Sequence, residues 1–178
     1  EIFTPANRAE ARRIAAETFV LLKNEGSLLP LQRKGRIALV GPLANTASNM
    51  SGTWSVAARL SENKTLVAAM REAVGEKAEI LYAKGSNVLL DAQREADATM
   101  FGREMRDPRS AREMIDEAVA AARQADVVVA AVGESSEMSG ESSSRSSLSM
   151  PDAQRALLEA LQATGKPIVL VYFSGRPT

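Results

Sequence analysis

Three glutamates stand close together after one apolar run, and their spacing suits carboxylate chemistry. Glu134, Glu137 and Glu141 lie in the stretch GESSEMSGESSSRSS at residues 133–147, directly after the run DVVVAAV at 126–132. A carboxyl group can donate or accept a proton, so such a group can serve as a general acid or base. Serine, glycine and glutamate are also the usual composition of a solvated surface loop, so composition alone leaves both interpretations open.

Other kinds of catalytic site lack the residues that they need. The chain has no histidine and no cysteine, which excludes a Ser-His-Asp triad, disulfides and zinc-thiolate sites within it and disfavours a transition metal. The sequence VGPLANTAS at 40–48 matches neither the dinucleotide motif nor the P-loop. Its hydroxyl and amide groups could still hold a phosphate, which keeps a cofactor binder as an alternative. Otherwise we expect no cofactor and no metal.

The charge balance limits the class of partner. The 22 basic and 22 acidic residues cancel, so the chain lacks the electrostatic footprint of a nucleic-acid or anionic-membrane binder. No apolar run approaches the ~20 residues that span a bilayer. We therefore expect neither nucleic acid nor a membrane as a partner.

Apolar residues recur with helical period in four segments. This period predicts helices over about 5–24, 64–74 and 108–125, and a fourth that begins with Pro151 at its first position. Residues 86–107 are polar and poorly periodic, and they are predicted as a long excursion with one helical turn. The inner face of the fourth helix is expected to carry Ala153, Ala156, Leu157, Ala160 and Leu161.

Strand-like runs alternate with these helices. Continuous apolar runs predict strands at 36–40, 79–83, 126–132 and 168–173. Strands buried on both faces and joined by helices indicate a three-layer α/β/α sandwich with a mostly parallel, flavodoxin-like sheet. In such sheets ligands bind at the carboxyl ends of the strands, where the stretch 133–147 begins.

Five segments resemble one family in their order and spacing. They are AAETFVLLKNEGSLLPL at 15–31, RIALVGPLA at 36–44, GTWS at 52–55, VGE with EMSGESSSR at 132–145, and GKPIVLV with SGRP at 165–177. Together they resemble glycoside hydrolase family 3, and most of all its bacterial periplasmic β-glucosidases. The resemblance implies a (β/α)8 barrel followed by an α/β sandwich. Residues 1–35 would be a lead-in helix and linker from the absent barrel, and 36–178 the sandwich, truncated at its C-terminus.

The resemblance also implies a function. The full-length protein would be a retaining β-glucosidase that removes terminal non-reducing β-D-glucosyl residues from β-glucosides or oligosaccharides, in the periplasm or secreted. The nucleophile would be an aspartate of the barrel. Glu141 matches the family's acid/base position best and Glu134 is the second choice. If Glu134 is not the acid, it would brace the loop by accepting backbone N–H groups. Glu137 is interpreted as a solvated charge.

Two further residues are candidates for substrate binding. Trp54, the only tryptophan, would be an aromatic platform beside the leaving-group sugar or a packing residue. Arg145 would pair with Glu141 or Glu134 and hold the loop, or be solvated. The isolated chain is expected to be inactive, because half of the catalytic pair would lie on the barrel. The alternative function is a non-catalytic interaction or glycan-binding module.

Overall fold

The computed structural model describes residues 2–52, 54–55, 57–98 and 106–177. The chain divides into two compact units, Glu1–Leu31 and Gln32–Thr178.

The described residues of the first unit contain one α-helix, α1, at Pro5–Glu17, and a short 3-10 turn at Glu25–Ser27. Thr4 caps the start of α1 by accepting a hydrogen bond from the Asn7 N–H. The prediction that this helix reaches residue 24 is wrong, since Thr18 is its C-cap. None of its residues is buried, so no packed apolar face favours its extension. The aromatic and β-branched residues that follow have lower helix propensity than Ala or Leu.

The second unit is built on four parallel strands in the order β2-β1-β3-β4. Each predicted strand forms, with ends within one residue of the prediction, because continuous apolar runs identify strands buried on both faces. The strands are β1 at Gly35–Val40, β2 at Ala78–Ala83, β3 at Val127–Gly133 and β4 at Ile168–Phe173.

Helices connect the strands. They are α2 at Leu66–Val74, α3 at Ala92–Ala98, α4 at Ala111–Gln124 and α5 at Asp152–Gln162. Side chains cap three of them: Thr65 caps α2, Asp91 accepts a hydrogen bond from the Arg94 N–H at the start of α3, and Ser110 starts α4 through a capping box with Glu113. Pro151 is the N-cap of α5 and not its first helical residue as predicted. None of the described helices combines the length and apolarity needed to cross a bilayer.

The helices form two layers around the sheet, as predicted. Small side chains let α4 and α5 pack closely on one face. In the strand order, the connection through α2 leads from β1 to β2 in one direction, whereas those through α4 and α5 lead to β3 and β4 in the opposite direction. Because such crossovers are right-handed, α2 lies on the other face of the sheet. The cluster under α4 and α5 consists of Ala38, Val40, Ala83, Ala118, Ala122, Ala125, Val128, Ala130, Leu157 and Leu161.

The inner face of α5 differs from its prediction at two positions. Ala156 is exposed and Gln154 is completely buried. The physical reason is a set of hydrogen bonds between the Gln154 amide and the end of β3, which offsets the cost of burying a polar group.

The excursion before α4 is more ordered than predicted. It contains α3, which has two turns where one was expected, and the Glu95 side chain of this helix is buried. Arg106 pairs with Glu95 and donates to the Leu89 carbonyl oxygen at 2.8 Å. This ion pair on a buried carboxylate connects α3 to residue 106 in a segment that has no apolar period. Residues 99–105 of this predicted excursion lie outside the described residues.

Candidate functional site

Glycine governs how the chain leaves β3. The φ angle of Gly133 is 127°, and a Cβ there would lie 2.0 Å from the Phe173 carbonyl oxygen of β4. A side chain is therefore excluded both by conformation and by space. The loop that carries the three glutamates starts from this fixed point.

An amide side chain of α5 holds the same point from the other side. The Gly133 N–H donates to Gln154 Oε1 at 2.6 Å, and Gln154 Nε2 donates to the Gly133 carbonyl oxygen at 2.9 Å. Nε2 also donates to the Val88 carbonyl oxygen at 3.1 Å. Gln154 thus joins the end of β3 to the excursion after β2.

A second amide ties the loop after β1 to the carboxylate loop. Asn49 lies on the short helical turn Ser48–Met50 and accepts a hydrogen bond from the Ser136 N–H at 2.9 Å. Its Nδ2 donates to Thr46 Oγ1 at 3.0 Å. The Asn49 amide and the Thr46 hydroxyl of this loop therefore bond within the protein.

Glu134 is the first residue after β3, and its side chain is 1% exposed. Its Oε1 accepts a hydrogen bond from Arg145 and lies 3.3 Å from Nε of Arg176. Its Oε2 accepts hydrogen bonds from Ser174 Oγ and from the Gly175 N–H, each at 3.2 Å. Both carboxylate oxygens are thus occupied by partners within the domain.

The two arginines beside this carboxylate also donate hydrogen bonds to backbone carbonyl oxygens. Arg145 Nη2 donates to the Ser149 carbonyl oxygen at 2.7 Å. Arg176 Nη2 donates to the carbonyl oxygens of Met138 at 2.6 Å and Ser143 at 3.3 Å. Of the two partners considered for Arg145 in the sequence, the one observed is Glu134.

Glu141 has the opposite environment. It is exposed, and no hydrogen bond or ion pair of its carboxylate is found within the described part of the chain. The backbone around it is held, because Ser143 Oγ donates to the Glu137 carbonyl oxygen at 2.7 Å. Glu137 itself is half-buried and accepts a long hydrogen bond of 3.5 Å from Ser136 Oγ. The Glu141 carboxylate is therefore free to contact an external partner, while hydrogen bonds within the loop hold the backbone around it.

The candidate residues divide between two depressions at this edge of the sheet. A cleft of about 660 Å³ is lined by Glu137, Glu141 and Arg145, together with residues of α3 and α5. A recess of about 320 Å³ is lined by Trp54 and Glu134, among others. Trp54 is 70% exposed, so its ring is not a core residue of this domain.

Sequence reasoning missed two residues of this site. Arg176 was recognised only as part of a structural SGRP segment, and Gln154 only as a position within a helix. A polar residue on the apolar stripe of α5 was the one available signal for Gln154. Arg176 gave none, because its partners lie more than thirty residues away in the sequence. No cluster of metal-ligating side chains occurs among the residues with described positions.

Comparisons with known proteins agree on one family. The sequence model of the Glycosyl hydrolase family 3 C-terminal domain matches residues 19–178. The periplasmic beta-glucosidase of Salmonella typhimurium is 49% identical over 172 residues, which are 96% of this chain and 22% of that protein. The beta-xylosidase of Formosa agariphila is 31% identical over 99% of this chain and 23% of its own length.

Solved structures give the same result. The beta-glucosidase of Listeria innocua, crystallised in complex with glucose, matches with a TM-score of 0.77 and 32% identity, over 99% of this chain and 21% of that one. This chain spans about a fifth of the length of these relatives. Its sequence and its three-layer fold together show that the chain belongs to glycoside hydrolase family 3, whose C-terminal domain it contains.

Proposed function

We propose that the protein containing this chain is a retaining β-glucosidase and that Glu141 is its general acid/base. The observation that carries this proposal is the contrast within one loop: Glu141 is exposed, unpaired and beside the larger cleft, whereas Glu134 is buried among internal partners. An acid/base group must reach the glycosidic oxygen of a bound substrate. Glu141 can do so without breaking a hydrogen bond or ion pair to any residue in the described part of the chain.

The reaction assigns Glu141 two successive tasks. In a retaining glycosidase one carboxylate attacks the anomeric carbon while a second, protonated carboxyl gives its proton to the leaving oxygen. The second group then takes a proton from water, which releases the sugar from the nucleophile. In our proposal the nucleophile is an aspartate of a preceding barrel, and residues 1–35 link that barrel to the sandwich at 36–178.

Trp54 and Arg145 have supporting roles in this proposal. The exposed indole of Trp54 offers a flat apolar face to the C–H groups of a sugar ring in the leaving-group position. Arg145 lies beside the larger cleft while its guanidinium is fixed by Glu134 and Ser149. It can therefore orient a substrate hydroxyl at little entropic cost.

A β-glucoside is the substrate class that the relatives support best. Relatives named beta-glucosidase include the one from Salmonella typhimurium and the structure from Listeria innocua that binds glucose. The Salmonella protein is also named periplasmic, and we propose the periplasm for this protein too. Other relatives are named xylosidases. A competition assay between a β-glucoside and a β-xyloside should therefore show that the β-xyloside is not the preferred substrate.

Substitution within the full-length enzyme tests the acid/base assignment. We expect Glu141→Gln to lower kcat/KM by about 10²- to 10⁴-fold on substrates with poor leaving groups. The loss in kcat/KM should be far smaller when the leaving group needs no proton, because kcat/KM reports the step in which the glycosidic bond breaks. Azide should partly restore turnover of Glu141→Ala. Glu137→Gln is the matched control on the same loop and should remain close to the parent enzyme. An unchanged rate for Glu141→Gln would refute the assignment.

A further inference from the structure

Arg176 joins the two sides of the loop that carries Glu141. One of its nitrogens, Nη2, donates to the carbonyl oxygens of Met138 and Ser143. These residues stand three positions before and two positions after Glu141 in the sequence. Arg176 itself follows β4, a different strand. Its guanidinium therefore connects the flanks of the loop to a part of the sheet that does not belong to the loop.

Glu134 holds that guanidinium in place. Arg176 Nε forms an ion pair with Glu134 Oε1 at 3.3 Å, without a hydrogen bond. The turn before Arg176 is bound to the same carboxylate by hydrogen bonds from Ser174 Oγ and the Gly175 N–H. Arg145 adds a second guanidinium. One buried negative charge thus faces two positive ones, and Nη2 of each arginine donates to backbone carbonyl oxygens of the loop.

The loop also packs directly on this turn. A Cβ at Gly175 would lie 1.9 Å from Ser139 Oγ, so the absence of a side chain at Gly175 allows the close approach of the loop. Contact and hydrogen bonding therefore act at the same place. The arginine itself lines neither of the two depressions described above, which separates it from the surfaces open to substrate.

We infer that the Glu134–Arg176 pair is a positioning device for the acid/base: it sets the place of Glu141 over the cleft by fixing both flanks of its loop, without touching substrate. The inference rests on the proposed function of Glu141. Arginine suits the task because its planar group places donors on separate nitrogens, so that Nε can face the carboxylate while Nη2 serves two carbonyls; the three donors of a lysine ammonium share one nitrogen. A displacement of about 1 Å at a catalytic group can cost on the order of 10²-fold in rate.

Hydrogen exchange in the 178-residue chain tests the brace itself. Arg176→Lys keeps the charge, and we expect faster amide exchange in residues 138–145 with unchanged exchange in β1 and α4. Glu134→Gln should give the same pattern of exchange. It serves as a second variant, so that the test can still be made if one of the two folds poorly. Arg123→Lys, an exposed arginine in the last turn of α4, is the control. If amide exchange in the loop is unchanged in both variants, Glu134 and Arg176 do not hold the loop, whatever the activity of the enzyme.

Kinetics of the full-length enzyme test the positioning role. Arg176→Lys is expected to lower kcat by about 10- to 100-fold on a substrate with a poor leaving group, with KM within about twofold. The loss in kcat/KM should be smaller on an activated aryl glucoside, whose bond breaks without the acid. A merely structural loss would lower both substrates' rates alike, and that result would overturn the inference. Wild-type turnover of Glu141→Gln would instead refute the proposed function and the catalytic half of this inference, while the exchange experiment would still decide whether Arg176 braces the loop.

Discussion

Gln154 exchanges two hydrogen bonds with Gly133 and thereby substitutes for a neighbouring strand. On that side of β3 the pairing with β1 ends at Ala130, opposite Val40, three residues before the strand itself ends. The side-chain amide supplies the donor and the acceptor that the absent strand would have given. A buried helix residue therefore completes the sheet at the point where the carboxylate loop begins.

Gln154→Ala should destabilise the second unit strongly. The substitution leaves the Gly133 N–H without its partner in a buried place, and a buried polar group without a partner costs about 1 to 3 kcal/mol. We expect a loss of about 2 kcal/mol or more in the free energy of unfolding, measured by urea titration with circular dichroism. Gln162→Ala, at an exposed position of the same helix, should change little. Equal midpoints for the two variants would contradict the proposed role of the amide.

Gly133→Ala should prevent the native junction between β3 and the loop. The backbone at this position has a positive φ of 127°, and the new Cβ would overlap the Phe173 carbonyl oxygen. Relief requires β3 and β4 to separate, so we expect loss of cooperative unfolding or a fall of several degrees in Tm. Gly52→Ala is the control, because a Cβ at Gly52 would meet no atom within 4 Å. If Gly133→Ala and Gly52→Ala have the same Tm, the junction between β3 and the loop can accommodate the new Cβ and the prediction is wrong.

The positions of the strands and of most helices could be predicted from the sequence because their apolar residues form continuous runs or recur with helical period. β4, for example, has the predicted bounds 168–173, since its apolar run is uninterrupted between a Gly-Lys-Pro turn and a Ser-Gly turn. The end of α1 was not accessible in the same way. Its stripe of apolar residues continues past Glu17, but a stripe stabilises a helix only when it is packed, and no residue of α1 is buried.

The partners within the candidate site were less accessible, for a geometric reason. Parallel strands bring their carboxyl ends together, so the sequence could place Glu134 at the ligand edge. Only the register, in which Gly133 lies opposite Phe173, brings the turn at 174–176 against that carboxylate. Spacing along the chain contains no information on this register, and it left Arg145 with two equally acceptable partners.

Acid should remove a small stabilisation that Asp107 provides. Hydrogen bonds from the Arg109 side chain lower the pKa of Asp107 from 3.8 to about 2. A folded-state pKa below the unfolded value means that the stabilisation is complete above about pH 4 and is lost as the pH falls towards 2. Because Arg109 is 42% exposed, we expect no more than about 1 kcal/mol.

The measurement compares Asp107→Asn with the parent chain. The parent should have the higher Tm at pH 6 in low salt, and the difference should shrink between pH 4 and pH 2.5. Asp116→Asn serves as the control, since Asp116 is 71% exposed and lies 3.7 Å from Arg112. A difference between parent and Asp107→Asn that stays constant with pH would exclude the ion pair as its source.

The 178-residue chain alone should not hydrolyse an aryl β-glucoside. Retaining hydrolysis needs two carboxyl groups about 5 to 5.5 Å apart, on either side of the anomeric centre. Glu141 can supply one, but Glu134 has both oxygens bound within the domain, and Glu137 is half-buried on the same loop. We expect the release of nitrophenol from a nitrophenyl glucoside to equal that of buffer, while the full-length enzyme gives turnover. The informative control is Glu141→Gln in the isolated chain. Turnover by the isolated parent chain that disappears in this variant would mean that the domain contains its own nucleophile, and the division of the catalytic pair between two domains would be wrong.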